Sequence, residues 1–394
     1  MRGRGELSPP GQFPSPLRID GGIRENEEEG YNPTVVRVRV PPSGKGDREK
    51  WRCEMGLSES EARKLHDDAL VFDMLTMPDV LEEPIFSKMR DGGVDAIHCT
   101  AAITEDFKQA MEGIERIYAR VDSLPDVVIV TKVSEIEEAK REGKLAVLLG
   151  FQDTAPLEGR LSNFRPHVKS FYRAGIRCMQ LTYTGANSMG SGCGEYEDVG
   201  ITWLGKEMIE EMNSLGILID LSHSGQKTTL QTTEYSKKPV AYTHANSKTV
   251  CDNERNKNDD CLKKLGEKNG IIGVTALPRG VRLEPPRTLE HMIDHIDYIR
   301  DFIGIDHVGI GLDLVEGYKE KKEIPEVVVF WRTRRPDIFG SVDDWFEVSY
   351  PEDIDSSSCI PNITMGLAKR GYSEEDIRKI LGLNALRVLR DTIG

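Results

Sequence analysis

Short apolar runs alternate with longer amphipathic stretches from about residue 68 to the C-terminus. The runs are rich in β-branched residues and most are followed by polar ones; they lie at 69–73, 94–99, 145–150, 176–183, 217–223, 240–244, 271–275 and 308–313. Continuous apolar runs of this kind are typical of strands that are buried on both faces. Eight such strands, separated by helix-length segments, predict a single (β/α)8 barrel of the TIM type.

Two regions depart from this alternation. Residues 1–60 combine charged runs with Pro/Gly clusters, and within them only TVVRVRV at 34–40 alternates as a strand does. We predict an N-terminal extension with a small hairpin, followed by one barrel domain at 61–394. Residues 314–360 show no clear amphipathic period and predict a long excursion after the eighth strand, on the face where barrels carry active sites. A lid over the site and a packed surface loop both remain open for it.

Composition narrows the range of partners. The formal net charge of −14 argues against nucleic acid, because phosphate binding needs concentrated Lys and Arg. No stretch approaches the roughly 18–20 apolar residues of a transmembrane helix, and the Pro- and Gly-rich N-terminus lacks the apolar segment of a secretory signal. The seven cysteines are scattered and form no C-x-x-C pair, which is typical of reduced thiols. We therefore expect a cytoplasmic protein that binds neither membrane nor nucleic acid.

Candidate chemistry follows from the rule that reactive side chains gather at the C-terminal ends of barrel strands. His223 and His244 end the fifth and sixth runs, and Asp313 ends the eighth. Imidazole is the commonest neutral ligand of zinc-like ions, so the two histidines predict a metal site, unless they are hydrogen-bonded structural residues. Asp313 could be a third ligand or the proton-transferring group. The same rule adds, as further candidates, Gln152, Asp153 and Tyr183.

Charged and histidine-rich segments supply two weaker candidates. Arg255, in ERNKNDD at 254–260, follows the sixth strand on the same side. Its guanidinium could form a forked pair with a substrate carboxylate, although a solvated charge run would have the same composition. His291 and His295 lie four residues apart on a predicted helix. Because the Glu of H-E-x-x-H is missing, a structural role is favoured for that pair.

Five ordered blocks of the sequence are similar to one known family. They are EMNSLGILIDLSH at 211–223, THAN at 243–246, ERNKNDD at 254–260, HIDYIRDFIGIDHVGIGLD at 295–313 and KRGYSEEDIRKILGLNALRVL at 369–389. On these blocks the chain resembles the membrane (renal) dipeptidase family of metallopeptidases, which belongs to the amidohydrolase-like barrels. The resemblance runs from about 68 to 392 and implies a (β/α)8 fold, a zinc-dependent site and a homodimer.

The resemblance also implies roles for four residues. In that family two zinc ions share a bridging glutamate. One ion also takes a His-x-Asp pair after the first strand, and the other takes two histidines after the fifth and sixth. Those two histidines correspond to His223 and His244. The arginine that binds the substrate carboxylate corresponds to Arg255, and the aspartate that handles the proton of the tetrahedral intermediate corresponds to Asp313.

The remaining family positions differ here. The His-x-Asp pair aligns with Leu75 and Met77, the bridging glutamate with Gln152, and a histidine that polarises the substrate carbonyl with Tyr183. The pattern resembles a divergent bacterial branch of dipeptidase-like proteins. It implies one zinc or other divalent ion, with Tyr183 donating a hydrogen bond to a developing oxyanion in place of the missing histidine.

Three functions are compatible with this residue set. The retained residues favour a mononuclear metal-dependent hydrolase of a dipeptide-like or amide substrate, whose free carboxylate binds Arg255, with Gln152 and Asp153 as further substrate contacts. The changed ligands leave open a different reaction on the same barrel, such as decarboxylation or C–N bond cleavage. A non-catalytic binding protein that kept the fold is the third interpretation.

Overall fold

The computed structural model describes residues 57–157, 164–316, 324–346 and 349–394. The predicted hairpin at 34–40, and the N-terminal extension as far as residue 56, lie outside the described residues. Each of the eight predicted apolar runs overlaps one strand. The strands of the described part are β1 Phe72–Thr76, β2 Ala96–Ala102, β3 Val127–Val130, β4 Leu145–Phe151, β5 Ile176–Gln180, β6 Leu218–Asp220, β7 Ala241–Tyr242, β8 Ile271–Val274 and β9 Val308–Ile310.

Eight of these strands form a closed parallel barrel. Its order is β1-β2-β4-β5-β6-β7-β8-β9, and the pairing of β9 with β1 closes it. The interior positions are almost entirely buried, as the continuous apolar runs predicted. The (β/α)8 barrel of the TIM type that the alternation predicted is therefore confirmed.

A ninth strand, β3, was missed by the sequence analysis. It pairs with the first half of β4, at Leu145–Leu148, whereas β5 pairs with β4 from Leu149 onward. One edge of the seven-residue β4 thus serves two partners in succession. The run VVIV is only four residues long and half-buried at its two central positions, so it gave a weaker hydrophobic signal than the barrel strands.

The helices surround the barrel and connect its strands. Those of the described part are α1 Glu59–Asp68, α2 Ile85–Asp91, α3 Phe107–Asp122, α4 Val133–Arg141, α5 Arg165–Arg173, α6 Trp203–Leu215, α7 Gln226–Tyr235, α8 Asp259–Glu267, α9 Pro278–Val281, α10 Leu289–Ile303, α11 Glu326–Arg334, α12 Pro336–Phe339, α13 Pro361–Lys369, α14 Glu374–Arg378 and α15 Asn384–Thr392. None of the helices in the described part is long and apolar enough to cross a membrane.

Local sequence fixes the ends of α6, the helix that delivers the chain to β6. The side chain of Thr202 accepts a hydrogen bond from the backbone N–H of Gly205, which caps the first turn. The helix ends at Gly216, whose φ of 77° lies in the left-handed region that glycine adopts without strain. Three residues of β6 follow almost at once, and this short connection places the next segment, 221–225, at the mouth of the barrel.

Two glycines allow the end of β7 to approach its neighbours closely. A Cβ at Gly273 or Gly311 would collide with the carbonyl oxygen of Thr243. Any larger residue at either position would push Thr243, and with it His244, away from the barrel axis. The position of His244 therefore depends on glycine in β8 and after β9.

The described part of the excursion after the eighth strand contains two α-helices that the sequence did not predict. Helices α11 and α12 lie within 314–360, although the sequence of that stretch has no clear amphipathic period. The first of these helices is partly exposed along its length, with only Arg332 fully buried. Because α11 packs through single large side chains, it has no continuous apolar stripe for a pattern to detect.

Candidate active site

The two predicted histidines lie side by side at the mouth of the barrel. His223 follows the end of β6 by three residues and His244 follows the end of β7 by two. Their ring centroids are 5.1 Å apart, and only 5 % of His223 and none of His244 is exposed to solvent. Strand-end position thus brings the two imidazoles together, as the sequence predicted.

Hydrogen bonds fix which nitrogen of His244 carries the proton. The hydroxyl of Thr243 donates to Asp220 Oδ2 at 2.7 Å and lies 2.8 Å from Nδ1 of His244. A hydroxyl has one proton, so Thr243 must accept from Nδ1–H of the imidazole. The Nε2 atom is left with a free lone pair, and it is buried without any hydrogen-bond partner. A buried, unprotonated and unpartnered imidazole nitrogen is what a metal ligand requires.

His223 is oriented by the loop that follows β5. Its Nδ1 lies 3.0 Å from the hydroxyl of Thr184, and its backbone N–H donates to Gln180 Oε1 at 3.1 Å. The phenol ring of Tyr183 stacks on the imidazole, with centroids 4.2 Å apart and planes 23° apart. Two contacts therefore hold the ring, a third holds its backbone, and Nε2 is left as the nitrogen available to the mouth.

Both imidazoles are held neutral by their surroundings. Burial lowers the pKa of His223 and His244 well below the usual value, and the positive charge of Arg255 lowers each further. Neutral imidazole is the form that binds metal ions.

Arg255 lies beside the histidines and is buried. It is 1 % exposed, and its guanidinium donates to the backbone carbonyls of Ser222 and, at 2.9 Å, His244. No ion pair joins it to any carboxylate of the described residues, and its Nε has no partner. A buried cation bound only to neutral carbonyls is costly, so the site is electrostatically suited to an anionic ligand.

Asp313 lies three residues after the end of β9 and has a strained backbone conformation. Its φ of 54° lies in the left-handed region, which is uncommon for a residue with a side chain. Burial raises the pKa of its carboxyl to about 6, and Arg255 opposes the rise. Asp73 in β1 accepts hydrogen bonds from the backbone N–H groups of Leu75 and Leu312, and burial raises its pKa to about 7, with the charge of Asp313 adding to the effect.

The sequence analysis missed a second buried cation, Lys257. Its side chain is fully buried, and Nζ donates to Ser224 O at 2.6 Å and Thr229 Oγ1 at 3.2 Å. Burial lowers its pKa to about 8, and the charge of Arg255 lowers it further. Nothing in the charged run ERNKNDD distinguishes a buried lysine from a solvated one, which is why pattern alone could not find it.

Gln152 and Asp153 follow β4 on the same side of the barrel. The amide of Gln152 donates to Thr100 Oγ1 at 3.0 Å and to Met77 Sδ at 3.7 Å. Asp153 Oδ1 accepts from Asn187 Nδ2 at 2.7 Å. The amide of Gln152 is thus turned toward Met77, one of the two positions where the resemblance places a lost metal ligand.

The two histidines alone are fewer side chains than a complete zinc site requires. Among the described residues, no group of three His, Cys, Asp or Glu side chains is arranged to hold an ion. Asp313, predicted as a possible third ligand, is therefore not grouped with His223 and His244 in this way. Leu75 is completely buried and offers no donor atom.

The histidine pair at 291 and 295 has a structural role, as favoured from the sequence. His295 is fully buried; its Nδ1 accepts from the backbone N–H of Ser247, so Nε2–H donates to Val281 O at 3.0 Å. His291 contacts Thr288 and Arg282. The two imidazoles are engaged with different neighbours and share no site.

Comparison with known proteins places the chain in a family. The family model described as membrane dipeptidase (peptidase family M19) matches residues 77–330 and 344–393. Dipeptidase 3 of Rattus norvegicus is 28 % identical over 315 residues, which are 77 % of this chain and 57 % of the relative. Dipeptidase verJ of Clonostachys rogersoniana is 28 % identical over 289 residues, 72 % of this chain and 65 % of the relative. The chain thus spans less than two thirds of the length of these relatives.

Two solved structures share the fold of this chain. An amidohydrolase from Pseudomonas aeruginosa is 31 % identical, with a TM-score of 0.75 over 86 % of this chain and 100 % of that one. The probable dipeptidase PvdM of the same organism is 20 % identical, with a TM-score of 0.71 over 85 % of this chain and 98 % of its own, a likeness of fold alone. The family match covers most of the chain and includes His223, His244, Arg255 and Asp313. The chain belongs to the membrane dipeptidase family of metallopeptidases, peptidase family M19.

Proposed function

We propose that this chain is a single-ion hydrolase of dipeptide-like or amide substrates that carry a free carboxylate, in a divergent branch of its family. The observation that carries the proposal is the pair His223 and His244. The two neutral rings lie together at the mouth, and His244 Nε2 is buried, unprotonated and without a partner. Zinc is among the ions that imidazole ligands suit, and it is the ion that we propose.

The residues present fit one ion and not two. His223 and His244 supply two nitrogen ligands, and the remaining positions of such an ion are open to water and substrate. The second family site would need ligands at Leu75, Met77 and Gln152, which supply an alkyl group, a thioether and an amide turned toward that thioether. A bound divalent ion supplies an acidified water and a polarised carbonyl.

Arg255 is proposed to bind the carboxylate of the substrate. Its guanidinium is fixed in place by two backbone carbonyls and forms no ion pair with a carboxylate of the described residues. Lys257 adds a second buried positive charge nearby. A substrate carboxylate would neutralise part of this charge in a site from which water is largely excluded, where such pairing is strong.

Asp313 and Tyr183 are proposed to handle the proton and the oxyanion. With a pKa of about 6, Asp313 is mostly ionised at neutral pH and able to accept the proton of the attacking water. It would then return that proton to the departing nitrogen. Burial keeps the pKa of Tyr183 above its usual value, so its hydroxyl keeps its proton and remains a donor for the developing negative charge. Gln152 and Asp153 would contact the rest of the substrate.

Assembly and location are part of the same proposal. We propose a homodimer in the cytoplasm that acts on a small carboxylated molecule and engages neither nucleic acid nor membrane. The net charge of −14 argues against nucleic acid as a partner.

A second function is favoured by one observation. Because no three described side chains are grouped as metal ligands, the barrel could hold a carboxylated ligand without hydrolysing it, or act on one without an ion. In that case Arg255 and Lys257 would bind the ligand and the imidazoles would serve as hydrogen-bonding groups.

Hydrolysis of a simple dipeptide tests the first function. Ala–Ala should be cleaved by the zinc-loaded protein, and its C-terminal amide should be cleaved far more slowly because it cannot pair with Arg255. The variant His244→Ala should lose both the activity and the zinc, whereas the matched control His291→Ala, changed outside the mouth, should keep both. Carboxylate-dependent binding of Ala–Ala without cleavage, by a parent protein that takes up no zinc, would favour the second function.

A further inference from the structure

Residues 331–343, here called the strap, lie between the two stretches that the family model matches, 77–330 and 344–393. They include the end of α11 and all of α12. The structure packs them against two loops at the mouth of the barrel: the β5–α6 loop, which carries Tyr183 and Thr184, and the β7–α8 loop, which carries Arg255.

The first contact of the strap is with the β5–α6 loop. The indole of Trp331 lies so close to two backbone glycines that an added Cβ would come within 2.9 Å of it at Gly185 and 2.6 Å at Gly194. Arg335 is 6 % exposed and donates through Nη1 to Gly194 O at 2.7 Å. Its other nitrogens form a forked pair with Asp337, at 2.9 and 2.7 Å. The guanidinium is thus fixed within the strap and bound to the loop.

The second contact is with the β7–α8 loop. The side-chain amide of Asn253 donates to Ile338 O in the strap at 2.9 Å. The carbonyl oxygen of the same amide accepts the backbone N–H of Arg255 at 2.8 Å. One side chain therefore joins the strap to the residue proposed to bind the substrate carboxylate.

The β5–α6 loop is joined by hydrogen bonds to His223 at the proposed ion site. Gly194 N–H donates to Thr184 O at 2.8 Å, and the Thr184 hydroxyl lies 3.0 Å from Nδ1 of His223. Cys193 N–H donates to His223 O at 2.7 Å. The strap is thus joined to His223 through one loop and to Arg255 through the other.

We propose that the strap is a specificity element that fixes the separation between the imidazole pair and the guanidinium of Arg255. It thereby selects the length of the substrate between its scissile carbonyl and its carboxylate. This inference rests on the proposed function for its substrate class, and Arg335 is its positioning residue, since that side chain contacts the loop and not the substrate.

Hydrogen–deuterium exchange tests the strap without any assay of activity. In Arg335→Gln, the amides of Cys193 and Arg255 should both exchange about tenfold faster, because both loops lose the element that restrains them. Trp331→Leu should have the same effect and serves if the first variant is poorly folded. The matched control is Arg334→Gln, an exposed neighbour whose guanidinium lies over Phe330, and it should leave both amides unchanged. Unchanged exchange at Cys193 and Arg255 in both strap variants would overturn the proposal.

Substrate preference tests whether the strap selects the length of the substrate. The parent protein should prefer Ala–Ala to Ala–β-Ala, which is one methylene longer, and a fixed site discriminates one methylene by roughly 10–200-fold. The ratio of the two kcat/KM values should fall by about tenfold in Arg335→Gln with zinc content unchanged. An unchanged ratio together with faster exchange would also overturn the specificity role. Failure of the parent protein to cleave either dipeptide would count against the proposed function alone, and exchange would still decide whether the strap holds the loops.

Discussion

The ring of Tyr183 lies stacked on the imidazole of His223, with centroids 4.2 Å apart and planes 23° apart. Tyr183 occupies the position at which the resemblance places a carbonyl-polarising histidine. The aromatic ring and the hydroxyl of this residue can therefore be tested apart, because the stack belongs to the ring and the proposed hydrogen bond to the hydroxyl.

Tyr183→Phe keeps the ring and removes the hydroxyl. We expect kcat to fall about 100-fold, the usual loss for one oxyanion donor, with KM and zinc content little changed. Tyr183→Leu should lower zinc affinity as well, because the imidazole loses its stacking partner. Steady-state kinetics with zinc titration separates the two effects, and full activity in Tyr183→Phe would show that the hydroxyl takes no part.

Thr243 is expected to control the tautomer of His244. In Thr243→Val, Nδ1–H of His244 and one hydrogen bond of Asp220 are left without their partner in the core. The free energy of unfolding should fall by about 1–3 kcal/mol and zinc should bind more weakly. Thr243→Ser restores the hydroxyl and should behave like the parent. Denaturant unfolding measures the first effect; equal stability of the valine and serine variants would contradict the assignment.

Arg255 should set both substrate affinity and the acidic limb of the pH profile. Asp313 must be ionised to accept a proton, so kcat/KM should rise as pH increases through about 6. Arg255→Met removes the positive charge that favours the ionised form, so the pKa of Asp313 rises and the limb moves to higher pH. KM should rise too, because the carboxylate loses its partner. The surface variant Arg90→Met is the control. If the acidic limb of Arg255→Met lay at the same pH as that of the parent, the charge of Arg255 would have no effect on the pKa of Asp313.

Asp73 should make stability fall as pH rises. Its pKa is raised from 3.8 to about 7 by burial, so between those values the folded state binds more protons than the unfolded state. The loss is absent below about pH 4, where both states are protonated, and complete above about pH 7, where both are ionised; at about 1.4 kcal/mol per unit it amounts to roughly 4 kcal/mol.

The isosteric variant Asp73→Asn can still accept from Leu75 and Leu312 and carries no titrating group. The difference in unfolding free energy between variant and parent should therefore grow in favour of the variant from pH 4 to pH 7. Denaturant unfolding at several pH values measures it. A constant difference over that range would show that Asp73 does not take up a proton on folding.

The fold, and the meeting of the candidate residues at one end of the barrel, could be predicted from the sequence because both follow from the strands. His223, His244 and Asp313 come directly after apolar runs, and in a parallel barrel all such ends open on one side. Lys257 could not be found in this way, since its burial depends on the carbonyl of Ser224 and the hydroxyl of Thr229, which are distant in sequence. The strap was equally hidden: its contacts are made by single side chains such as Trp331 onto glycine backbone, which leave no periodic pattern.

The metal content of the purified protein shows whether His223 and His244 hold a single ion. The protein should be purified without added metal and measured by elemental mass spectrometry, beside His223→Ala, His244→Ala and the control His291→Ala. We expect about one zinc-like ion per chain in the parent and the control, and none in the two mouth variants. Two ions per chain, no ion in the parent, or an ion that persists in His223→Ala and His244→Ala would contradict this expectation.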